Sequence, residues 1–369
     1  MKGDHNVRLL ICAGGTGGGA YPALAALQAL NAEHADIETL WVGSETGMEA
    51  DLVRRAGIPY ASIPAAGLHG VGLRQLPSSL FQLGRGIGAS ARYVRRFRPD
   101  VMLFTGGYLA APMAIAGREV PIVLYVPDIE PGLALKFLAR FADRIAVTSA
   151  DSQRYFSKPV VVTGYPARPE LRKWTRKGGR LALKLRQDLP VVLVAGGSKG
   201  ARSINQALLA NLPALLELAQ VVHVTGQGEW SAVVSMTSGL NKLQMRRYRP
   251  FPYLHEQMGA ALAAADIAVM RAGASVLGEL PLFGLPAILV PYPHAWRYQR
   301  VNAEYLAARK AAIMVSDEDL RQQLLPTVQK LLRSPRRRKS MRTAMTSLAK
   351  PDAAQALAGQ LLELGGQRP

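Results

Sequence analysis

Twice in these 369 residues a strand-length apolar run ends in a cluster of glycines and passes straight into helical composition. The first opening is the apolar run 7–12, then Gly14, Gly15, Thr16, Gly17, Gly18 and Gly19, then an Ala/Leu-rich run behind Pro22. The second is 189–195, then Gly196, Gly197, Ser198, Lys199 and Gly200, then a helical segment over 203–219. Pro22 suits a first helical turn, where its missing N–H costs nothing. Between and after these openings, apolar runs at 39–43, 60–64, 101–105, 122–126 and 144–148 alternate with helical stretches at 48–56, 110–117 and 133–141. In the second half, 221–225, 267–270 and 285–291 read as strands, and 254–265 and 298–310 as helices. Such alternation means parallel strands with helices on both faces. A chain this long exceeds one ordinary core. The expectation is an α/β protein of two Rossmann-like, doubly wound parallel-sheet domains facing a central cleft. The boundary is set at Gly164, Tyr165 and Pro166, which gives domains 1–164 and 165–350. A terminal amphipathic helix runs over 351–364.

Composition narrows the classes. One cysteine, Cys12, excludes a disulfide framework and a cysteine-based zinc site, and six scattered histidines provide no metal-ligand pair. No cofactor is expected. The first six residues are polar and no apolar run approaches a bilayer span, so no signal or transmembrane segment is expected. The net charge of +19 calls for an anionic partner. Arg74, Arg85, Arg92, Arg95, Arg96 and Arg98 share one stretch with Leu76, Leu80, Phe81 and Leu83, and no acid. An apolar patch rimmed by arginines lies on an anionic membrane surface; the alternative is a core-facing helix with a solvated basic face. Arg336, Arg337, Arg338 and Lys339 read as solvated surface. Tyr93 and Phe97 beside the arginines are too few aromatics for a nucleic-acid surface, so no nucleic acid is expected.

The stretch Arg271-Ala-Gly-Ala-Ser-Val-Leu-Gly-Glu279 follows an apolar strand and begins a helix. Free N–H groups at a helix start favour an anion, and small residues let a phosphate or sugar reach the backbone. Glu279 can hold a ribose diol, or is an ordinary surface glutamate. The first glycine loop lacks the Lys-Ser/Thr of a P-loop.

Taken in order, these segments resemble the MurG-type transferases of glycosyltransferase family 28, which have the two-domain GT-B architecture. Gly14 to Gly18 with Pro22, Gly106-Gly-Tyr108, Gly196 to Arg202 with Asn205, Thr225-Gly226, the 271–279 stretch and residues 291–302 carry the resemblance. It implies inverting transfer of N-acetylglucosamine from UDP-N-acetylglucosamine to a lipid-linked muramyl acceptor, lipid I, giving lipid II in peptidoglycan synthesis. The enzyme would be cytoplasmic and peripheral on the inner membrane face, with residues 351–369 packed back on the first domain. By motif, Glu279 would hold the ribose. Gly197 and Ser198 would bind the diphosphate, with Ala274 in the nucleotide-sugar motif. Arg168 and the backbone near Leu254 would contact the nucleotide, and Gln299 and Asn302 the sugar. Arg168 could instead pair with Glu170. Thr16, Gly17, Gly18 and Tyr108 fall on the acceptor or diphosphate side; Thr16 could merely close its turn, and Tyr108 could merely pack on the sheet.

The departures concentrate in the first domain. Gly19 stands where the family has a histidine, and Tyr125-Val-Pro-Asp128 replaces its His-Glu-Gln-Asn. Tyr298-Gln299 replaces a double glutamine. Asp128 is the candidate general base and Glu130 the second candidate; alternatively Asp128 caps a turn before Pro131. His294 reads as a loop residue, and His69 as a weak phosphate contact. The rivals are a UDP-sugar transferase with another acceptor, a UDP-N-acetylglucosamine 2-epimerase, and a family member that binds without catalysing.

Overall fold

A computed structural model describes residues 7–13, 17–33, 37–44, 48–64, 76–197, 200–294 and 298–366. The chain divides into two compact units, Met1–Arg168 with Pro351–Pro369, and Pro169–Lys350. Arg168, read with the second half, therefore belongs to the first unit.

In the first unit the strands are β1 (Val7–Ala13), β2 (Ile37–Gly43), β3 (Tyr60–Ser62), β4 (Val101–Gly106), β5 (Ile122–Val126), β6 (Arg144–Val147) and β7 (Val160–Val162). They form one sheet in the order β3-β2-β1-β4-β5-β6-β7, with every pair parallel. Successive strand residues face opposite sides, so β1 feeds two cores. Leu9 and Ile11 pack with the helix Gly17–Glu33 and with Leu357 and Leu361 of the terminal helix Ala353–Gly365. Leu10 and Cys12 pack on the other face with Met113, from the helix Ala110–Ala116, and Leu138. Burial and the charge of Glu49 push the Cys12 thiol up to about 12, which makes it a packing residue rather than a nucleophile. Glu49 is itself buried and accepts from the Ser44 N–H and hydroxyl at 3.1 and 3.0 Å.

The second unit holds β8 (Val191–Ala195), β9 (Gln220–Val224), β10 (Tyr248–Phe251), β11 (Ile267–Arg271), β12 (Ala287–Val290) and β13 (Ala312–Met314). Their order is β10-β9-β8-β11-β12-β13, again all parallel. Val192, Val194, Ile267 and Ile288 pack against Ile204 and Leu208 of the helix Arg202–Leu218 and Leu324 and Val328 of the helix Leu320–Leu332. On the other face Gly179 lets the helices Arg176–Ala182 and Met258–Ala264 touch; a Cβ there would lie 2.3 Å from the Ala260 carbonyl oxygen.

Each sheet reverses its strand order once, at β1/β4 and at β8/β11. Ligands of open α/β sheets bind outside the carboxyl ends of the strands at such a reversal. In the second unit the glycine loop after β8 and the Gly273 turn after β11 follow the two strands of that reversal.

Three edge strands, β7, β10 and β13, were not expected, and the first helix starts earlier than expected. It begins at Gly17, inside the glycine loop, and Pro22 is its sixth residue. Pro22 therefore cannot donate to the carbonyl of Gly18. Among the described residues no helix is long and apolar enough to cross a membrane.

Candidate active site

In the second unit the glycine loop after β8 is built on backbone that side chains would obstruct. Gly197 and Gly200 have φ of +87° and +79°. A Cβ on Gly200 would sit 2.4 Å from the Thr225 carbonyl oxygen, so this loop and the one after β9 touch backbone to backbone. Gly200 N–H closes the turn on the Gly197 carbonyl at 3.0 Å. The helix Arg202–Leu218 follows at once, with no side-chain cap at Ala201. Its leading N–H groups are thus presented at the strand ends, the arrangement that holds phosphate. Ser198 lies outside the described residues.

The turn after β11 is the facing element. Ala272 and Ala274 are buried, and Val276 and Leu277 donate to the carbonyls of Gly273 and Ala274, starting the helix Val276–Phe283 in a tight first turn. Glu279 is half-buried on this helix. The loop after β12 is pinned by Gln299, whose Oε1 accepts the Tyr292 N–H at 2.9 Å. Leu254 is buried three residues past β10, between Tyr253 and His255, whose rings meet edge-on at 4.5 Å. His294 is exposed on its loop, edge-on to Tyr292.

Asn302 departs from the expected role. It is fully buried on the helix Tyr298–Ala308, and its Nδ2 donates to the Ala272 carbonyl at 3.0 Å. It braces the 272–279 turn from behind, and a fully buried amide has no surface left to offer a sugar.

Sequence reasoning gave no role to four residues that organise this end of the sheet. Arg271 ends β11; its Nη2 donates to Ser203 Oγ at 2.7 Å and its Nη1 to Asp317. Ser203 donates in turn to Asp317 at 2.7 Å. His223 is buried on β9, where Tyr248 Oη lies 2.8 Å from Nδ1 and Asn205 Oδ1 lies 3.0 Å from Nε2. Asn205 Nδ2 already donates to the Thr225 carbonyl, so its Oδ1 faces the ring. Nε2 must then carry the proton and Nδ1 accepts from Tyr248. Burial lowers the His223 pKa to about 3, so the ring stays neutral.

In the first unit Gly17 and Gly18 form the opening turn of the first helix, and Thr105 Oγ1 donates to the Gly19 carbonyl at 2.9 Å. Thr16 lies outside the described residues. Gly106 and Gly107, with φ of +121° and +90°, turn the chain after β4 and leave Tyr108 43% exposed. Asp128 is half-buried in the loop after β5. Thr148 Oγ1 donates to the Pro127 carbonyl at 2.7 Å and Ser152 Oγ to the Ile129 carbonyl at 2.9 Å, which fixes the loop on both sides of Asp128. Behind it the buried Tyr125 hydroxyl lies 2.9 Å from Thr148 Oγ1. Burial, and to a lesser extent the Asp128 charge, push that hydroxyl up. Glu130 is buried, with Lys136 Nζ 3.9 Å from its carboxylate. Of the two candidate bases Asp128 keeps the larger solvent-facing surface; Glu130 is only 6% exposed. Arg168 stacks over the Tyr21 ring at 4.5 Å, a contact that neither expected role anticipated.

The models of the glycosyltransferase family 28 N-terminal and C-terminal domains match residues 9–147 and 191–357. The UDP-N-acetylglucosamine–N-acetylmuramyl-(pentapeptide) pyrophosphoryl-undecaprenol N-acetylglucosamine transferase of Roseiflexus sp. (strain RS-1) is 41% identical, over 95% of this chain and 94% of that protein. The protein of the same name from Desulforudis audaxviator is 37% identical over 98% and 99%. Among solved structures, MurG of Acinetobacter baumannii superposes with a TM-score of 0.74 at 23% identity, covering 97% of this chain and all of that one. UDP-GlcNAc 2-epimerase of Neisseria meningitidis reaches 0.69 at 13% identity over 97% and 100%, a likeness of fold alone. The fold is thus GT-B, and the chain belongs to glycosyltransferase family 28.

Proposed function

We propose that the protein is an inverting glycosyltransferase that moves N-acetylglucosamine from UDP-N-acetylglucosamine to lipid I, making lipid II for peptidoglycan. The full-length likeness to transferases of that name carries the reading. In the second unit, the diphosphate would lie against the start of the helix Arg202–Leu218, beside Gly197 and Ser198, and Glu279 would accept from the ribose hydroxyls. Ala274 is small enough to let the nucleotide reach its turn, the backbone near Leu254 would meet the uracil, and Gln299 would meet the sugar. As the bond to the anomeric carbon breaks, UDP gains negative charge; helix-start N–H groups already aimed at it need no reorganisation. Inversion requires the acceptor hydroxyl to attack from the opposite side while a base takes its proton. Asp128 is that base in this reading, and Thr16, Gly17, Gly18 and Tyr108 line the acceptor side. Arg168 would join the nucleotide contacts.

Membrane contact completes the proposal. Phe81 is 68% exposed on the helix Leu76–Phe97, and Leu133 and Phe137 are exposed on the helix Leu133–Leu138. Arg85 and Lys136 are exposed on the same two helices. Apolar side chains among cations suit the anionic inner membrane face, where a lipid-linked acceptor is found. The test is UDP release from UDP-N-acetylglucosamine with and without lipid I. Release that needs lipid I and yields lipid II supports the proposal. Acceptor-independent release, or an epimerised sugar, refutes it.

A further inference from the structure

The Arg271 guanidinium ties four separate pieces of the second unit together. Nη1 reaches Asp317, in the loop beyond β13, and also the Val290 and Pro291 carbonyls at 3.3 Å at the end of β12. Nη2 reaches Ser203 Oγ at 2.7 Å, in the first turn of the helix Arg202–Leu218. The Tyr292 ring covers the group, 5.2 Å from Cζ to the centroid. The side chain is only 10% exposed. The residue after it, Ala272, has its carbonyl held by Asn302.

These pieces carry the walls of the proposed donor site: the helix start for the diphosphate, the 272–279 segment for the ribose, and Tyr292, whose N–H Gln299 holds, for the sugar. We infer that Arg271, through Ser203 and Asp317, is a positioning residue that sets the spacing between the diphosphate and ribose subsites. The inference rests on the donor reading above. Only a planar fork of donors can satisfy a carboxylate, a hydroxyl and two carbonyls at once; a lysine ammonium cannot span them. Ser203 links the two charged partners, accepting from Arg271 and donating to Asp317. If the spacing serves donor binding in ground and transition state alike, its loss raises KM and leaves kcat in place.

The experiment is UDP titration calorimetry together with steady-state kinetics on the full chain. Wild-type protein is titrated first; failure to bind UDP refutes the donor reading itself, before any variant is compared. Given wild-type binding, Ser203→Ala should weaken UDP and raise the donor KM by about tenfold, with kcat within about threefold. Ser203→Thr, which keeps the hydroxyl, should restore both. Arg271→Lys should be weaker still, and adding Ser203→Ala to it should change little further, because the two act as one unit. Ser203→Ala needs no buried charge to be moved and carries the test should Arg271→Lys fail to fold. A folded Ser203→Ala protein with wild-type UDP affinity and KM overturns the inference, as does a loss confined to kcat.

Discussion

The two units share one strand order about the reversal, the first adding β7 at its edge, and differ in how their strand-end loops are held. In the second, side chains reach across from neighbouring elements: Arg271 to Ser203 and Asp317, Asn205 to the Thr225 carbonyl, Asn302 to the Ala272 carbonyl, Gln299 to the Tyr292 N–H. In the first, hydroxyls brace the loops from behind, Thr105 at Gly19 and Thr148 at Pro127, while Tyr108 and Asp128 keep exposed surface. The cross-tied unit suits a ligand whose diphosphate and ribose stand at fixed spacing. The open unit suits a bulky acceptor delivered from a surface. Two of the three departures from the family pattern, Gly19 and the segment ending at Asp128, fall in the first unit. A loop whose tips are not tied to one another can change its chemistry without unsettling the sheet.

Substitutions can separate the two halves. The largest effect is expected at Asp128: Asp128→Asn should lower kcat by about 10²–10⁴-fold and leave the KM for UDP-N-acetylglucosamine in place. Should kcat stay within about threefold, the proton leaves by another route. Glu279→Gln should do the reverse. The loss of a charge-assisted hydrogen bond raises the donor KM by roughly 10–100-fold with kcat little changed. A matching loss in kcat alone would remove the division of labour between the units. Phe81→Asp should cut sedimentation with anionic vesicles by about tenfold, with turnover of a soluble acceptor analogue unaltered. Equal sedimentation would place the membrane contact elsewhere.

The smallest effect on turnover, and a plain one on stability, is expected at His223. Burial holds its folded pKa at about 3, below the ordinary imidazole value of 6.5. The unfolded chain therefore takes up the proton first. The neutral ring contributes its full stability above about pH 6.5, and that contribution is lost as pH falls towards 3. Between pH 7 and pH 5 the loss is about 2 kcal/mol. Urea unfolding at the two pH values should show it, and His223→Gln should flatten it. An unchanged slope in the variant would mean that other groups govern the acid limb.

How far the sequence could be read follows from burial. Strands β1, β4, β5, β8 and β11 are interior strands, apolar on both faces, and their composition announces them. The edge strands are short and part-exposed: Val161 and Val162 stand in solvent, and β10 contains Pro250, tolerable where a ladder has only one neighbour. The start of the first helix at Gly17 was illegible because glycine is a poor helix former and tertiary contact overrides it. The glycine loops and the 271–279 stretch were legible as an anion site, since strand, small turn and helix are contiguous in sequence. The Arg271 network was not, because Ser203 lies 68 residues before it and Asp317 46 after. Nor could sequence separate a buried brace such as Asn302 from a ligand contact, because both roles call for an amide beside a backbone carbonyl. The histidine on β9 went unremarked because its neutrality comes from burial, which composition does not carry.

The most direct test is a crystal structure with UDP bound. The account predicts the diphosphate at the first turn of the helix Arg202–Leu218, with a ribose hydroxyl within hydrogen-bond distance of the Glu279 carboxylate. A nucleotide bound instead at the glycine loop before Pro22, or with its ribose away from Glu279, would contradict it.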